Sequence, residues 1–320
     1  MGRTFAMRSW TRVGGVLLAL LVGYGVVELA LRSGWIGRYG ENVLMAIGIN
    51  ILLAVSLHVI LGLAGQFSIG QAGFLAVGAY TAAVVTTRLD MPFELALLAA
   101  VVVSVLMGLL VGLPTLRLRG DYLAIATLGF AEIIRISLLN IDYVGGAAGM
   151  QLPHLTTWTH LFVSLVIVFA LVLTFTHSAY GRATLAVRED EIAAEAMGIS
   201  PTFVKVFAFA FGAGIAGLAG GLYAHTFYVI QPVDFGFLKS FEILVFVVLG
   251  GIGSLSGATL AAVLLTILST YLQQFPEIRM ILYSVVLILI MLFRPQGLLG
   301  DREFGDLLSV FRPKKGADVR

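Results

Sequence analysis

Gln66, Ser68 and Gln71 fall within Gly62–Tyr80, GLAGQFSIGQAGFLAVGAY, a stretch that is apolar, rich in glycine and free of charge. Glycine costs a helix interior about 1 kcal/mol per residue, and a glutamine at membrane depth needs a hydrogen-bond partner or water. Amides and hydroxyls in such a place do not break bonds. They can hydrogen-bond a polar solute in passage, while the backbone groups freed by a broken helix face a cavity instead of lipid. Gly250–Val263, GGIGSLSGATLAAV, echoes the pattern in the second half of the chain: Gly65 aligns with Gly251, Ser68 with Ser254, Ala72 with Ala258, Ala76 with Ala262 and Val77 with Val263. Paired interruptions in two halves of one chain point to a transport site. Close packing of helices through small residues would demand the same glycines without one.

Other chemistry lacks its parts. There is no cysteine, hence no thiolate nucleophile, thiolate metal site or disulfide. The five histidines include no H-E-x-x-H and no paired metal spacing. Within the expected spans no serine stands at helical spacing from a histidine and no carboxylates cluster, which argues against an intramembrane enzyme. G-x-x-x-x-G-K-[ST] occurs nowhere, and GGIGSLSG lacks the lysine, so the chain offers no cradle for ATP phosphates and no catalytic group is expected. His58, among Leu57, Val59 and Ile60, reads as a buried, hydrogen-bonded imidazole. Glu132 and Arg135, three apart, share a helical face and can pair. Charges inside spans are functional candidates by default, although a structural ion pair accounts for these two. Glu28, near a helix end, is expected to reach interfacial water.

The elements that position these groups are membrane helices. The sequence is 59% hydrophobic and 12% charged, half the charge of a soluble domain, and no stretch is polar enough for a soluble domain. A spanning helix needs about 20 apolar residues. Candidates are Val13–Leu31, Val43–Leu63, Phe67–Thr87, Phe93–Leu116, Tyr122–Leu139, Leu161–Phe175, Phe203–Tyr223, Ile243–Leu272 and Ile278–Phe293. Ile243–Leu272 is too long for one simple span and is broken by GGIGSLSG, so it can be two half-elements. The expectation is an all-α polytopic membrane protein of about eight to ten transmembrane helices, broken or re-entrant at the two glycine-rich segments. Residues 1–12 form a cytoplasmic N-terminus, 13–300 the transmembrane domain and 301–320 a cytoplasmic tail. Arg294, Arg302, Arg312, Lys314, Lys315 and Arg320 place that tail inside, and Arg117 and Arg119 place their loop on the same side. The loop 140–159 has no Lys or Arg and is assigned outside. Parity closes if each glycine-broken region enters and leaves on the outer side. Lys and Arg scatter over loop edges with no stripe for nucleic acid, and the net charge of +2 reports membrane anchoring.

Tyr180–Pro201, YGRATLAVREDEIAAEAMGISP, interrupts the apolar pattern. Ala183–Gly198 reads as one helix stopped by Gly198, with Pro201 just beyond. It is too polar to span and too short to stand without a surface to pack on.

Its Glu191, Ala193, Ala194, Glu195, Ala196 and Gly198 resemble the "EAA" coupling loop of ABC-importer permeases. In order along the chain, GLAGQFSIGQAGFLAVGAYTAA, RLRGDYLAIATLGFAEIIRI, YGRATLAVREDEIAAEAMGI, LGGIGSLSGATLAAVLL and MLFRPQGLLG together resemble the branched-chain amino-acid ABC permeases of the Liv type, on the LivM side, over about Val43 to Gly300. Urea and short-amide permeases resemble the same scaffold. One loop departs from the family pattern: Val144–Met150 reads VGGAAGM, with Ala147 and Ala148 where a Pro-Asn or Ser-Asn pair is usual.

The resemblance implies a permease subunit in a bacterial inner membrane. Its partners would be a homologous LivH-like permease, two ABC ATPases and a periplasmic or lipid-anchored substrate-binding protein. ATP would be used by those ATPases, with no cofactor bound by this chain. The implied substrate pathway is lined by Gln66, Ser68, Gln71, Thr127 and Ser254, a weakly binding passage that lets cargo leave. Arg188, Glu191, Glu195 and Gly198 would couple to the ATPases. Gly65, Gly70, Gly217, Gly221, Gly251 and Gly253 would serve as hinges or close-packing points. A membrane scaffold with no transport role would explain neither the paired breaks nor a docking helix.

Overall fold

The computed structural model describes residues 22–115, 118, 120–272 and scattered positions between 281 and 300. The expected segment 1–12, residues 13–21 of the first expected span, Arg117, Arg119, most of Ile278–Phe293 and the tail 301–320 lie outside the described residues. The chain divides into two units, 1–45 and 46–320. In the first, residues 22–32 are helical, and Arg32 Nε donates to Glu28 Oε1 at 2.8 Å.

Apolar residues recur at helical spacing, and the result is a helical bundle. Its helices are α1 (Arg38–Leu57), α2 (Gln71–Thr87), α3 (Phe93–Thr115), α4 (Asp121–Asn140), α5 (Trp158–His177), α6 (Ala179–Glu189), α7 (Glu191–Ala196), α8 (Pro201–Thr226), α9 (Phe237–Gly250) and α10 (Leu255–Tyr271). Among the described residues, five helical stretches are long and apolar enough to cross a membrane: Arg38–Leu63, α3, α4, α5 and α8. The most apolar windows of Arg38–Leu63 and α8 are each 72% buried, against 28–33% for α3, α4 and α5. The first two are core helices, and the other three turn Leu, Ile and Val outward as lipid-facing helices must. α2 and α3 pack on α8 so closely that a β-carbon on Gly78 would collide with the backbone of Gly217, and one on Gly217 with Ser104 Oγ. Phe74 meets Phe209 edge to face at 5.6 Å between ring centroids.

At one end, β1 (Met150–Gln151) pairs antiparallel with β2 (Val229–Ile230), Met150 opposite Ile230. Arg88 lies over the Tyr143 ring there, at 5.2 Å. The opposite end carries α6 and α7. Two expectations change. The span expected at Phe67–Thr87 begins its helix only at Gln71, because Gly65 takes φ +66° and residues 65–70 are not helical. The single helix expected over Ala183–Gly198 is two: Asp190 leaves helical geometry (φ −153°, ψ 106°), and its carboxylate accepts from the N–H groups of Ile192 and Ala193, both at 3.0 Å. An aspartate satisfying the orphan donors of a new helix is a strong start signal. Gly198 does stop α7, at φ +84°. Its N–H bonds Glu195 O at 2.9 Å and that of Ile199 bonds Ala194 O at 3.1 Å, the paired closure that a left-handed glycine permits.

Candidate functional site

The last turn of α1 widens into a π-helix, His58–Leu63, every residue of which is buried. Such turns often mark functional positions. The chain then leaves helical geometry until Gln71. Side chains from elsewhere meet the stranded backbone polar groups, as a buried non-helical segment requires. Thr127 Oγ1 in α4 accepts from Ile69 N at 3.2 Å and donates to Ala124 O at 3.0 Å. Ser68 Oγ accepts from Gly70 N at 3.4 Å, and Ser240 Oγ in α9 accepts from Ala72 N at 3.1 Å. Gln71 Nε2 donates to Ser56 Oγ, which donates to Gly212 O at 2.8 Å. Gln66 is buried, and neither atom of its amide has a partner among the described residues.

The second break obeys the same rules. α9 ends at Gly250, Gly251 takes φ +113°, and Ser254 Oγ accepts from Gly257 N at 3.0 Å to start α10. The aligned Gly65 and Gly251 therefore both take positive φ, whereas Ser254 caps α10 and Ser68 stands three residues before α2 and accepts from Gly70 N. The two breaks touch: a β-carbon on Gly62 would collide with the carbonyl oxygen of Ile252. They meet at the end that carries α6, not at the opposite end as the parity argument expects. Arg188, on the last turn of α6, donates Nη1 to Gly62 O at 2.6 Å, and its Cγ lies 2.7 Å from where a β-carbon on Gly65 would stand. The physical reason is the length of Arg38–Leu63. At 26 residues and 1.5 Å per residue it runs roughly 39 Å, a full bilayer crossing, before the chain breaks.

Gln66, Ser68, Gln71 and Thr127 are thus brought together around residues 64–70, while Ser254 belongs to the second break. All five are buried: Ser68, Thr127 and Ser254 bond backbone groups, Gln71 donates to Ser56 Oγ, and the Gln66 amide has no partner among the described residues. Gln66 borders a cavity of about 250 Å³ whose other walls include Gly65, Leu123, Arg188, Glu191 and Lys205.

The four residues expected to couple to a motor divide in two. Arg188 faces the break, and Glu191 accepts from Lys205 Nζ of α8 at 2.7 Å, so these two fasten the arm to the bundle. Glu195 and Gly198 are exposed. They stand beside Ile192 and Met197, 77% and 83% exposed, large apolar residues presented outward from a short arm. Among the glycines, Gly70 packs on the Thr127 carbonyl, Gly221 on Leu97 of α3, and Gly253 is half-buried beside Gly251. Arg135 Nε donates to Glu132 Oε2 at 2.7 Å, with both side chains about a quarter exposed.

Sequence reasoning passed over a second pair. Lys239 Nζ donates to Glu242 Oε2 at 3.1 Å and to Asn50 Oδ1 at 3.2 Å, and Asn50 Nδ2 donates to Thr266 Oγ1 at 2.9 Å. The signal was present: α9 reads FLKSFEILVFVVLG, apolar but for a lysine and a glutamate three apart with one serine between.

Spanning helices around buried, hydrogen-bonded breaks define an all-α, multi-pass membrane protein. The family described as branched-chain amino acid transport system / permease component matches residues 39–291, and the chain belongs to it. It is 39% identical over 259 residues to the high-affinity branched-chain amino acid transport system permease protein LivM of Salmonella typhimurium, covering 70% of this chain and 61% of that one. The LivM protein of Escherichia coli is 37% identical over the same shares. The permease protein LivH of Salmonella typhimurium is 31% identical over 183 residues, 55% of this chain and 58% of that one. The match to LivM spans about three-fifths of that relative's length. No solved structure matches the chain.

Proposed function

We propose that this chain is one permease subunit of an ABC importer for branched-chain amino acids in a bacterial inner membrane. It works beside a LivH-like permease, two ABC ATPases and a substrate-binding protein. One observation carries the reading: Arg188 joins the polar arm directly to the carbonyl of Gly62, at the point where two broken elements meet. An arm that only linked two spans would need no such contact. Glu195, Gly198 and the apolar tips Ile192 and Met197 receive the ATPase, whose ATP chemistry this chain does not perform. Arg188 passes the motion to residues 64–70. There Ser68, Gln71 and Thr127 exchange their internal hydrogen bonds as the passage opens, and Gln66 gains a partner. Ser254 and Gly251 move with the second break. Relatives named for branched-chain amino acid transport support the cargo.

The test is uptake of labelled leucine into vesicles reconstituted with both permeases, the ATPases and the binding protein. ATP-dependent accumulation that requires the binding protein is expected. Accumulation of labelled urea in place of leucine would overturn the assignment of cargo, and ATP-independent accumulation would overturn the assignment to an importer of this kind.

A further inference from the structure

α9 carries two opposite charges on an apolar helix, Lys239 and Glu242, with side chains 19% and 18% exposed. Beside them, on α4, stand Arg135 and Glu132, 25% and 29% exposed. The two elements adjoin: a β-carbon on Gly236, the residue just before α9, would stand 3.7 Å from Arg135 Cδ. Two positive and two negative groups therefore share one region, and the Asp234 carboxylate in the turn just before α9 adds a third negative group beside them.

Arg135 and Glu132 lie on a spanning helix, where ionised groups turn to a bundle interior, a partner or water, and Lys239 and Glu242 stand on the first turns of the adjoining α9. Pairing alone does not explain Lys239. Besides Glu242 it holds Asn50, which holds Thr266, so a polar chain ties α9 to α1 and α10 behind the charged face. Lys239 is thus held in place by two partners while about a fifth of its side chain stays exposed. Leu238 lies one turn before Glu242 on the same helical face and is 58% exposed. The surface thus offers a cation, an anion and an aliphatic wall within one helical turn or two.

We propose that Lys239 and Glu242, flanked by the Arg135–Glu132 pair, form a subsite on the translocation path that takes the carboxylate and ammonium of a zwitterionic aliphatic amino acid. Lys239 receives the carboxylate and Glu242 the ammonium, while Leu238 borders the side chain. The subsite rests on the reading of the cargo given above. It supplies what the uncharged lining at residues 64–71 lacks, a means of preferring a free amino acid to a neutral amide. Because both charges are already paired, binding exchanges one partner for another, and the cargo is held weakly enough to leave.

The experiment uses the reconstituted complex with its binding protein. Wild type must first accumulate leucine; if it does not, the reading of the cargo fails. Lys239→Met and Glu242→Gln are expected to lower leucine uptake at least tenfold at saturating binding protein. The exchange Lys239→Glu/Glu242→Lys keeps an internal pair while reversing its order. It is expected to restore assembly and ATPase activity stimulated by the binding protein, and to leave uptake at least tenfold down. Wild-type uptake in the exchanged protein would show the pair to be structural and overturn the proposal.

A second measurement is independent of those variants. The chain has no cysteine, so Leu238→Cys introduces a single reporter. A membrane-impermeant, charged thiol reagent is expected to label it, as read by the mass of this chain, and leucine with ATP and binding protein is expected to slow labelling at least threefold. No labelling, or labelling indifferent to leucine, would place this face outside the path and overturn the proposal.

Discussion

Replacing Arg188 by methionine separates the arm from the break with little change in packing, because methionine keeps most of the aliphatic stem that lies against Gly65. The substitution removes a hydrogen bond of 2.6 Å from a guanidinium to the carbonyl of buried Gly62. Hydrogen bonds to charged groups are worth about 1.5–3 kcal/mol net. The other partner of Arg188, Glu189, is 70% exposed, and a pair so placed contributes at most about 1 kcal/mol. The arm should therefore loosen by about 2 kcal/mol, roughly a 30-fold change in the ratio of attached to detached arm. If that attachment carries the motion, leucine uptake falls at least tenfold while ATP hydrolysis persists. Glu189→Gln is the control, and it should leave both rates within twofold of wild type. The assay is uptake and hydrolysis measured on the same vesicles. A methionine variant of normal subunit composition that transports within twofold of wild type refutes the reasoning.

Gly62→Ala should destabilise the protein by about 1–3 kcal/mol, since its methyl collides with Ile252 O and the His58 ring; an unchanged unfolding midpoint in detergent would contradict the contact between the breaks. Asp190→Ala removes the cap of α7 at a cost of about 1 kcal/mol. Limited proteolysis should then nick the arm near that residue sooner than in wild type, and equal lifetimes would mean that the cap is dispensable. Glu195→Lys alters an exposed side chain, so insertion and stability should hold while recovery of the ATPases with the permease drops several-fold. Wild-type recovery with wild-type uptake would take Glu195 out of the docking surface.

Much of the bundle was legible because hydropathy reports burial in lipid directly: α3, α4, α5 and α8 lie close to their expected spans. The glycine runs were legible as interruptions, since nothing else explains glutamines in apolar sequence. Their depth was not. Loop charges constrain which side a loop occupies, whereas the level of a break depends on how far the preceding helix has run. The division of the arm at Asp190 was hidden by the strong helical propensity on both sides, although an aspartate before Glu-Ile-Ala-Ala offers a helix start. The roles of Arg188 and Glu191 could not be read either. A charged residue on a polar helix looks solvated until a carbonyl or a lysine from another element is found beside it. Lys239 was missed for a different reason: it precedes the expected span Ile243–Leu272 and was passed over as part of a connection.

The small ribbon that joins Met150 to Ile230 has a consequence for how the molecule can move. It stitches the loop before α5 to the loop after α8 at the rim farthest from the arm, and Thr156 Oγ1 adds a bond of 2.9 Å to Leu222 O just beneath it. With that rim sewn shut, a pull on the arm of the kind proposed above would tilt α5 and α8 about the seam, with displacement growing toward the end that carries α6. Arg188 would pass that displacement to Gly62, so the ribbon would serve as the pivot of a lever and residues 62–70 would lie beside its long end.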